Sequence, residues 1–316
     1  MRALVFPGQG SQAVGMGRDL HWAHALVRDT YDEASVALGY DIAGVSFEGP
    51  AERLAQTDVM QPALLVNSVA VLRLLQERGL CFEAALGHSL GEYSALVAVG
   101  ALGFAGAVEL VRRRGEAMHA AARQRAGGMA AVIGLDDAAV EQVCAGLEGV
   151  WTANFNCPGQ VVVSGGRPGL EEIEKRALAA GARRVVRLAV SGAFHSPFMR
   201  PAARELGAAL REAAWSAPSP RFFSVCSVEF EDGGLSGRNG ERESSFPELL
   251  TRQVTAPVRF TQSIRRLQQE GFDSYLEVGP GNVLGGLIRR IAPEAAVACA
   301  GDLGTLEQID GEVWLR

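Results

Sequence analysis

A glycine-flanked serine, Gly87-His-Ser-Leu-Gly91, is the strongest chemical signal in this chain. The G-x-S-x-G spacing fits a sharp strand-to-helix turn that lifts a serine hydroxyl out of a sheet as a nucleophile. Glycines flank the serine because side chains there clash across the tight turn. The pattern alone is weak, since a turn serine or a helix N-cap fits the same residues. Its setting strengthens it: a short apolar run at 84–86 precedes Ser89 and a helical composition at 91–99 follows.

A serine nucleophile needs a base. Of the five histidines, His21, His24 and His119 lie in polar or charged helical stretches and read as solvated helix faces. His88 is too close in sequence to turn its ring easily onto Ser89. His195 sits in Ser191-Gly-Ala-Phe-His-Ser-Pro, a loop sequence, and loops on a rigid scaffold are where catalytic bases usually sit. Composition alone leaves His195 open between base and ordinary loop residue. Phe6-Pro-Gly-Gln-Gly-Ser-Gln12 also has two readings. Gly8-x-Gly10-x-x-Ala13 mimics a dinucleotide fingerprint, but the second strand this requires falls at 29–37, which looks helical. The rival reading is a backbone N–H beside Ser89, serving as an oxyanion donor. Arg112-Arg-Arg114, taken alone, reads as a solvated helix face.

The elements that must carry these residues alternate. An apolar strand at 3–6 is stopped by Pro7-Gly8, helical spacing runs over 16–38 and 61–78, and a strand at 84–86 leads into the serine. This predicts an α/β fold with a largely parallel sheet. Near Gly127-Gly128 the texture changes. Strand, helix, strand, strand, helix and strand follow over 129–190, the order of a ferredoxin-like unit. The expected architecture is an α/β-hydrolase-like main domain, residues 1–126 and 191–316, with an inserted ferredoxin-like subdomain at 127–190. A Gly-, Ser- and charge-rich stretch at 231–245 reads as a mobile surface loop, and a strand at 272–278 and a helix at 283–291 follow.

Composition narrows the classes. With 316 residues, 48% hydrophobic and 21% charged, the chain can bury a sizeable core. A net charge of −6 argues against nucleic acid as the main partner. Five cysteines without a C-x-x-C pair make a poor disulfide framework and a poor zinc site. The first residues hold no signal-peptide core, and no run of about 20 apolar residues marks a membrane span. A cytoplasmic, soluble monomer without metal is expected.

Eight motifs then occur in order: Phe6-Pro-Gly-Gln-Gly-Ser-Gln, Gln61-Pro-Ala, Gly87-His-Ser-Leu-Gly-Glu-Tyr-Ser, Arg114-Gly-Glu-Ala-Met, Asn154-Phe-Asn-Cys-Pro-Gly, Gly192-Ala-Phe-His-Ser, Arg252-Gln253 and Glu277-Val-Gly-Pro-Gly. Together they resemble the malonyl-CoA:acyl-carrier-protein transacylases, including free-standing acyltransferases of polyketide synthases. The resemblance runs to about Ile291.

It implies that Ser89 attacks the thioester and carries the acyl group, while His195 takes and returns its proton. A main-chain carbonyl at Gln253 orients His195 in place of a triad carboxylate. Backbone N–H groups of Gln9 and Leu90 form the oxyanion hole. Arg114 holds the free carboxylate of malonate, because its planar fork pairs with a carboxylate through two parallel hydrogen bonds. Gln61 and Phe194 line the acyl pocket, and Phe194 is expected to crowd a methyl branch. Arg183, Arg184, Arg289 and Arg290 match basic positions for docking an acidic acyl carrier protein. No cofactor is implied: malonyl-CoA is the substrate, and the phosphopantetheine thiol belongs to the carrier.

The chain departs from the family at Ser227, where an asparagine is usual, and in the length of the 231–245 loop. Its tail after Ala292 is unassigned. Two other functions stay in view, a thioester hydrolase with the same Ser-His pair and a non-catalytic carrier-docking module. Arg114 argues against a hydrolase for neutral acyl chains, since a buried cation there has a desolvation cost and no use. The four residues Gln9, Ser89, Arg114 and His195 together argue against a docking module.

Overall fold

The chain begins with β1 (Arg2–Phe6), followed by β2 (Ala84–Gly87). An antiparallel group comes next: β3 (Gly128–Ile133), β4 (Val150–Cys157), β5 (Gln160–Gly165) and β6 (Arg184–Arg187). The last four strands are β7 (Arg221–Ser224), β8 (Glu229–Glu231), β9 (Ser274–Val278) and β10 (Ala296–Ala300). The computed structural model describes residues 1–234 and 245–315, so most of the loop expected at 231–245 lies outside the described residues.

Six strands form the main sheet in the order β10-β9-β1-β2-β7-β8. All neighbours are parallel except the β7–β8 pair. In β1, Ala3, Leu4, Val5 and Phe6 are fully buried, as a central strand covered on both faces requires. Leu4 and Phe6 pack with the helices on one face, and Ala3 and Val5 with Phe260, Ile264 and Ile288 on the other. This doubly covered sheet carries the serine turn at the C-terminal end of β2.

The second sheet has the order β4-β5-β3-β6 and is antiparallel throughout. Helices Asp137–Ala145 and Arg167–Ala179 cover it through Val140, Leu170, Ile173 and Ala177, giving the ferredoxin-like arrangement. Irregular register in β4 frees backbone groups at its end. Phe155 N–H donates to Val258 O at 2.8 Å, and Val258 N–H to Ala153 O at 2.8 Å, tying this sheet to the chain after Gln253.

Several expectations change. The helix read over 16–38 is two, Arg18–Ala23 and Ala25–Leu38, separated by an extended His24. The break lets His21 lie edge-on against Tyr31 and Phe47, with ring centroids 5.8 and 5.0 Å apart, so it is no solvated face. Burial lowers its pKa. The helix expected from Gln61 is Thr57–Glu77; Gln61-Pro62 reads as a start, yet the helix runs through the proline. By length and composition this helix could cross a membrane, contrary to the sequence reading, but 89% of its apolar window is buried inside the protein. The strand expected to reach 190 ends at Arg187, because Leu188 and Val190 turn to line the cavity described next. The unassigned tail supplies β10 at the sheet edge.

Candidate active site

The serine turn is built by close packing. A Cβ on Gly87 would lie 1.9 Å from the Gly91 carbonyl carbon, and one on Gly91 would lie 2.1 Å from Phe6 O. Neither position tolerates a side chain, so the elbow requires both glycines. Ser89 between them has a left-handed backbone, φ 53°, and it lines a cavity walled by the turns after β1 and β2, by surrounding helices and by strands of the second sheet.

Ser89 Oγ lies 2.8 Å from His195 Nε2. On the far side of the ring, Nδ1 lies 3.0 Å from Gln253 O and 3.1 Å from Ala256 O. Carbonyl oxygens only accept, so Nδ1 carries the proton and Nε2 presents its lone pair to Ser89. The loop bearing His195 is clamped at neighbouring carbonyls: Ser164 donates to Phe194 O at 2.5 Å and Ser196 to Ala193 O at 2.6 Å. Burial, then the charge of Arg114, pulls the His195 pKa down to about 3, so the imidazole is neutral at physiological pH.

Arg114 comes from helix Phe104–Gln124 and is 1% exposed. Its Nη1 donates to Gln61 Oε1 at 2.7 Å, and its Nη2 to Ser89 Oγ and Gln253 Oε1, both at 3.0 Å. Every one of these partners is neutral, and Nε–H has no partner among the described residues. The two neighbouring arginines face outward: Arg112 pairs with Glu109 and Glu116, and Arg113 with Glu109. Helical spacing therefore separates one buried cation from two solvated ones, which a run of three arginines does not reveal.

Gln9 and Leu90 both line the cavity. The Gly8 loop lies against the elbow, since a Cβ there would meet His88 O at 2.3 Å. Past Ser89, the N–H groups of Gly91, Glu92 and Tyr93 are taken by the carbonyls of His88, Ser89 and Leu90. His88 points away, its Nε2 3.0 Å from Asn156 Oδ1. Met118, Met129, Phe194, Leu284 and Leu287 form the apolar wall, and Gln61 lines it as well.

Sequence reasoning missed Glu92. It is fully buried and accepts from Ser224 Oγ at 2.8 Å and Val225 N at 2.7 Å on Oε1, and from Gln253 Nε2 at 2.5 Å on Oε2. Burial pushes its carboxyl up to about 7, opposed by these donors and by the Arg114 charge. A lone acid in the apolar run Gly91-Glu-Tyr-Ser-Ala-Leu-Val was the available signal. The departure at Ser227 lies two residues beyond Val225, outside these contacts.

Arg183, Arg184, Arg289 and Arg290 are all exposed. Arg289 donates to Val297 O at 3.0 Å. Arg290 reaches across to the second sheet, donating to Gln160 Oε1 at 3.1 Å and Pro158 O at 2.9 Å. Among the described residues, no group of three or more His, Cys, Asp or Glu could hold a metal ion.

The acyl transferase domain family matches residues 3–306. This chain belongs to that family. The acyltransferase is 43% identical over 293 residues to the malonyl CoA-acyl carrier protein transacylase of Escherichia coli (strain K12), covering 92% of each chain. It is 40% identical over 313 residues to the Bacillus subtilis (strain 168) protein of the same name, covering 96% of this chain and 95% of that one. Among solved structures it resembles the malonyl-CoA:acyl carrier protein transacylase of Xanthomonas oryzae pv. oryzae, with a TM-score of 0.92, 38% identity and coverage of 100% and 98%. It also resembles a chain from a holo complex of a type II PKS acyl-carrier protein with its malonyl-transacylase, with a TM-score of 0.90, 38% identity and coverage of 97% and 98%. The family match extends past Ile291, so the resemblance covers much of the tail that the sequence left unassigned.

Proposed function

We propose that this acyltransferase carries a malonyl group from malonyl-CoA to the phosphopantetheine thiol of an acyl carrier protein, through an acyl-serine intermediate, in cytoplasmic fatty-acid or polyketide synthesis. Residues 127–190 are taken as an insert in the main domain, roofing the cleft. The observation that carries the reading is Arg114, a buried guanidinium 3.0 Å from Ser89 Oγ, which among the described residues hydrogen-bonds only to neutral groups and leaves Nε–H unpartnered. A buried cation that hydrogen-bonds to no carboxylate is costly, and the free carboxylate of a malonyl group supplies a directly bonded anion next to the nucleophile.

His195 Nε2 takes the Ser89 proton as Oγ attacks the thioester carbonyl. The oxyanion is held by the N–H groups of Gln9 and Leu90. Collapse breaks the C–S bond, and the proton held by His195 goes to the departing CoA thiolate. In the second half-reaction, His195 takes the proton of the carrier's thiol, which attacks the malonyl-serine ester. Collapse of that intermediate returns the proton to Ser89 Oγ. The Gln253 and Ala256 carbonyls suit this shuttle, because they fix the ring without adding a negative charge beside the malonyl carboxylate.

An editing hydrolase would use the same pair, but a cationic pocket favours acyl groups that carry a carboxylate. Incubation with malonyl-CoA and holo-carrier tests the choice. Malonylated carrier with little free malonate is expected; free malonate as the main product would make the protein a hydrolase.

A further inference from the structure

Gln253 holds both halves of the site. Its main-chain carbonyl accepts from His195, while its side-chain Oε1 accepts from Arg114. An amide can present either end to a neighbour, so something must choose which end faces the guanidinium. We infer that Glu92 makes this choice, as the positioning residue of the carboxylate site. The inference rests on Arg114 being that site.

The donor and acceptor pattern forces the orientation. Gln253 Nε2 gives one proton to Glu92 Oε2 at 2.5 Å and the other to Ser89 O at 2.8 Å. With both amide protons engaged, Oε1 is turned to Arg114 Nη2 at 3.0 Å. Glu92 is held in turn, since Ser224 Oγ and Val225 N both donate to its Oε1. Val225 N–H and the Gln253 amide can only donate, and with Ser224 Oγ they place three donors on two oxygens, a pattern that favours the ionised carboxylate. Glu92 therefore acts through one amide on the fork of Arg114, and adds a fixed negative charge beneath the cation. It also joins the elbow helix, Gly91–Ala98, to the end of β7 and to helix Phe246–Gln253, the elements that converge under Ser89.

Replacing Glu92 by Gln keeps the shape and changes the pattern. Val225 N–H only donates, so the new amide keeps its oxygen there and turns its NH2 to the NH2 of Gln253. Two donors then face each other. Either the Gln253 amide flips and presents N–H to Arg114, or it withdraws; both outcomes remove an acceptor from Nη2.

The test measures acylation of Ser89 by malonyl-CoA and by acetyl-CoA, which has no carboxylate for Arg114 to hold. Glu92→Gln should lower malonyl kcat/KM about tenfold, mainly through KM, and change acetyl kcat/KM by less than about twofold. In an Arg114→Ala background, Glu92→Gln should add no further malonyl-selective loss, because its effect passes through Arg114. Should Glu92→Gln fail to fold, Ser224→Ala removes one of the donors that hold Glu92 Oε1 and should give a smaller loss of the same malonyl-selective kind. Selective loss in Arg114→Ala, with equal losses of both acyl groups in Glu92→Gln or Ser224→Ala, would overturn the relay alone. Equal loss in Arg114→Ala itself would overturn the carboxylate site and the relay with it.

Discussion

Ser89 and His195, whose side chains meet at 2.8 Å, both hold left-handed backbone conformations, with φ of 53° and 55°. Non-glycine residues in this region cost roughly 1–3 kcal/mol each and persist only where the surroundings over-determine them. Here the surroundings are specific. The Gly87–Gly91 contact fixes the serine, and the Ser164 and Ser196 hydroxyls fix the carbonyls around the histidine. The strain sits on the two residues that must meet, and each is delivered by a different part of the chain.

A covalent intermediate on Ser89 is the first expectation. Brief exposure to malonyl-CoA should add the mass of one malonyl group to the intact protein, and Ser89→Ala should abolish the adduct. Survival of the adduct in that variant would place the nucleophile elsewhere.

Arg114 should select dicarboxylic acyl groups. Charge-assisted hydrogen bonds are worth about 1.5–3 kcal/mol each, so Arg114→Ala should lower malonyl kcat/KM at least about tenfold. Acetyl transfer should be spared or improved, because an unused cation has been removed. Steady-state competition between the two thioesters reads both numbers at once.

The pH profile follows from the same pair. Burial, and next the Arg114 charge, depress the His195 pKa. The acid limb of kcat/KM reports the free enzyme's base. Arg114→Ala removes a positive charge, so His195 becomes easier to protonate and the limb should move to higher pH. His88 is the other titratable group acting on the ring and is unchanged by the substitution. Acetyl-CoA is the substrate of choice, since carboxylate anchoring does not enter; a limb that stays put or moves down defeats the argument. Stability follows with its own sign. The folded pKa lies below an unfolded value near 6.5, so the unfolded chain takes up this proton first. His195 therefore lowers stability as pH falls from about 6.5 towards about 3.

Phe194 is 3% exposed and lines the cavity beside His195. Its ring should disfavour a methyl branch on the acyl α-carbon, by an amount within the 1–3 kcal/mol typical of one methylene, or about 10–200-fold. Malonyl-CoA should be preferred over methylmalonyl-CoA, with Phe194→Ser narrowing the gap. A wild-type preference for the branched thioester would end the argument.

Carrier docking is expected on the exposed arginines. Reversal of Arg183, Arg184 and Arg289 to Glu should raise KM for the acidic carrier and weaken its salt dependence, while acylation by malonyl-CoA stays nearly normal. Arg290 differs, because its donors already clasp Gln160 and Pro158 of the second sheet. Arg290→Ala should disturb both half-reactions, since Gln160 also lines the cavity. An unchanged carrier KM in the triple reversal would move the docking surface elsewhere.

The sequence by itself determined the parts whose geometry is local. Gly87 and Gly91 announced the elbow because the clash they avoid lies within one turn. The strand and helix patterns gave the element order over 129–190, since each element's buried face repeats along its own segment. The eight motifs identified the family. What the tertiary structure decided were the relations between distant segments. Position on a helix face separated Arg114 from Arg112 and Arg113, and only packing against Gln61, Ser89 and Gln253 reveals that face as the cavity wall. Arg290 became a clasp because the β4–β5 turn lies against its helix, a proximity between residues 130 apart in the chain. Glu92 escaped notice for the same reason. Its meaning lies in donors from residues 224, 225 and 253, and a hydrogen-bond network that spans more than 130 positions leaves no period or spacing in the sequence to read.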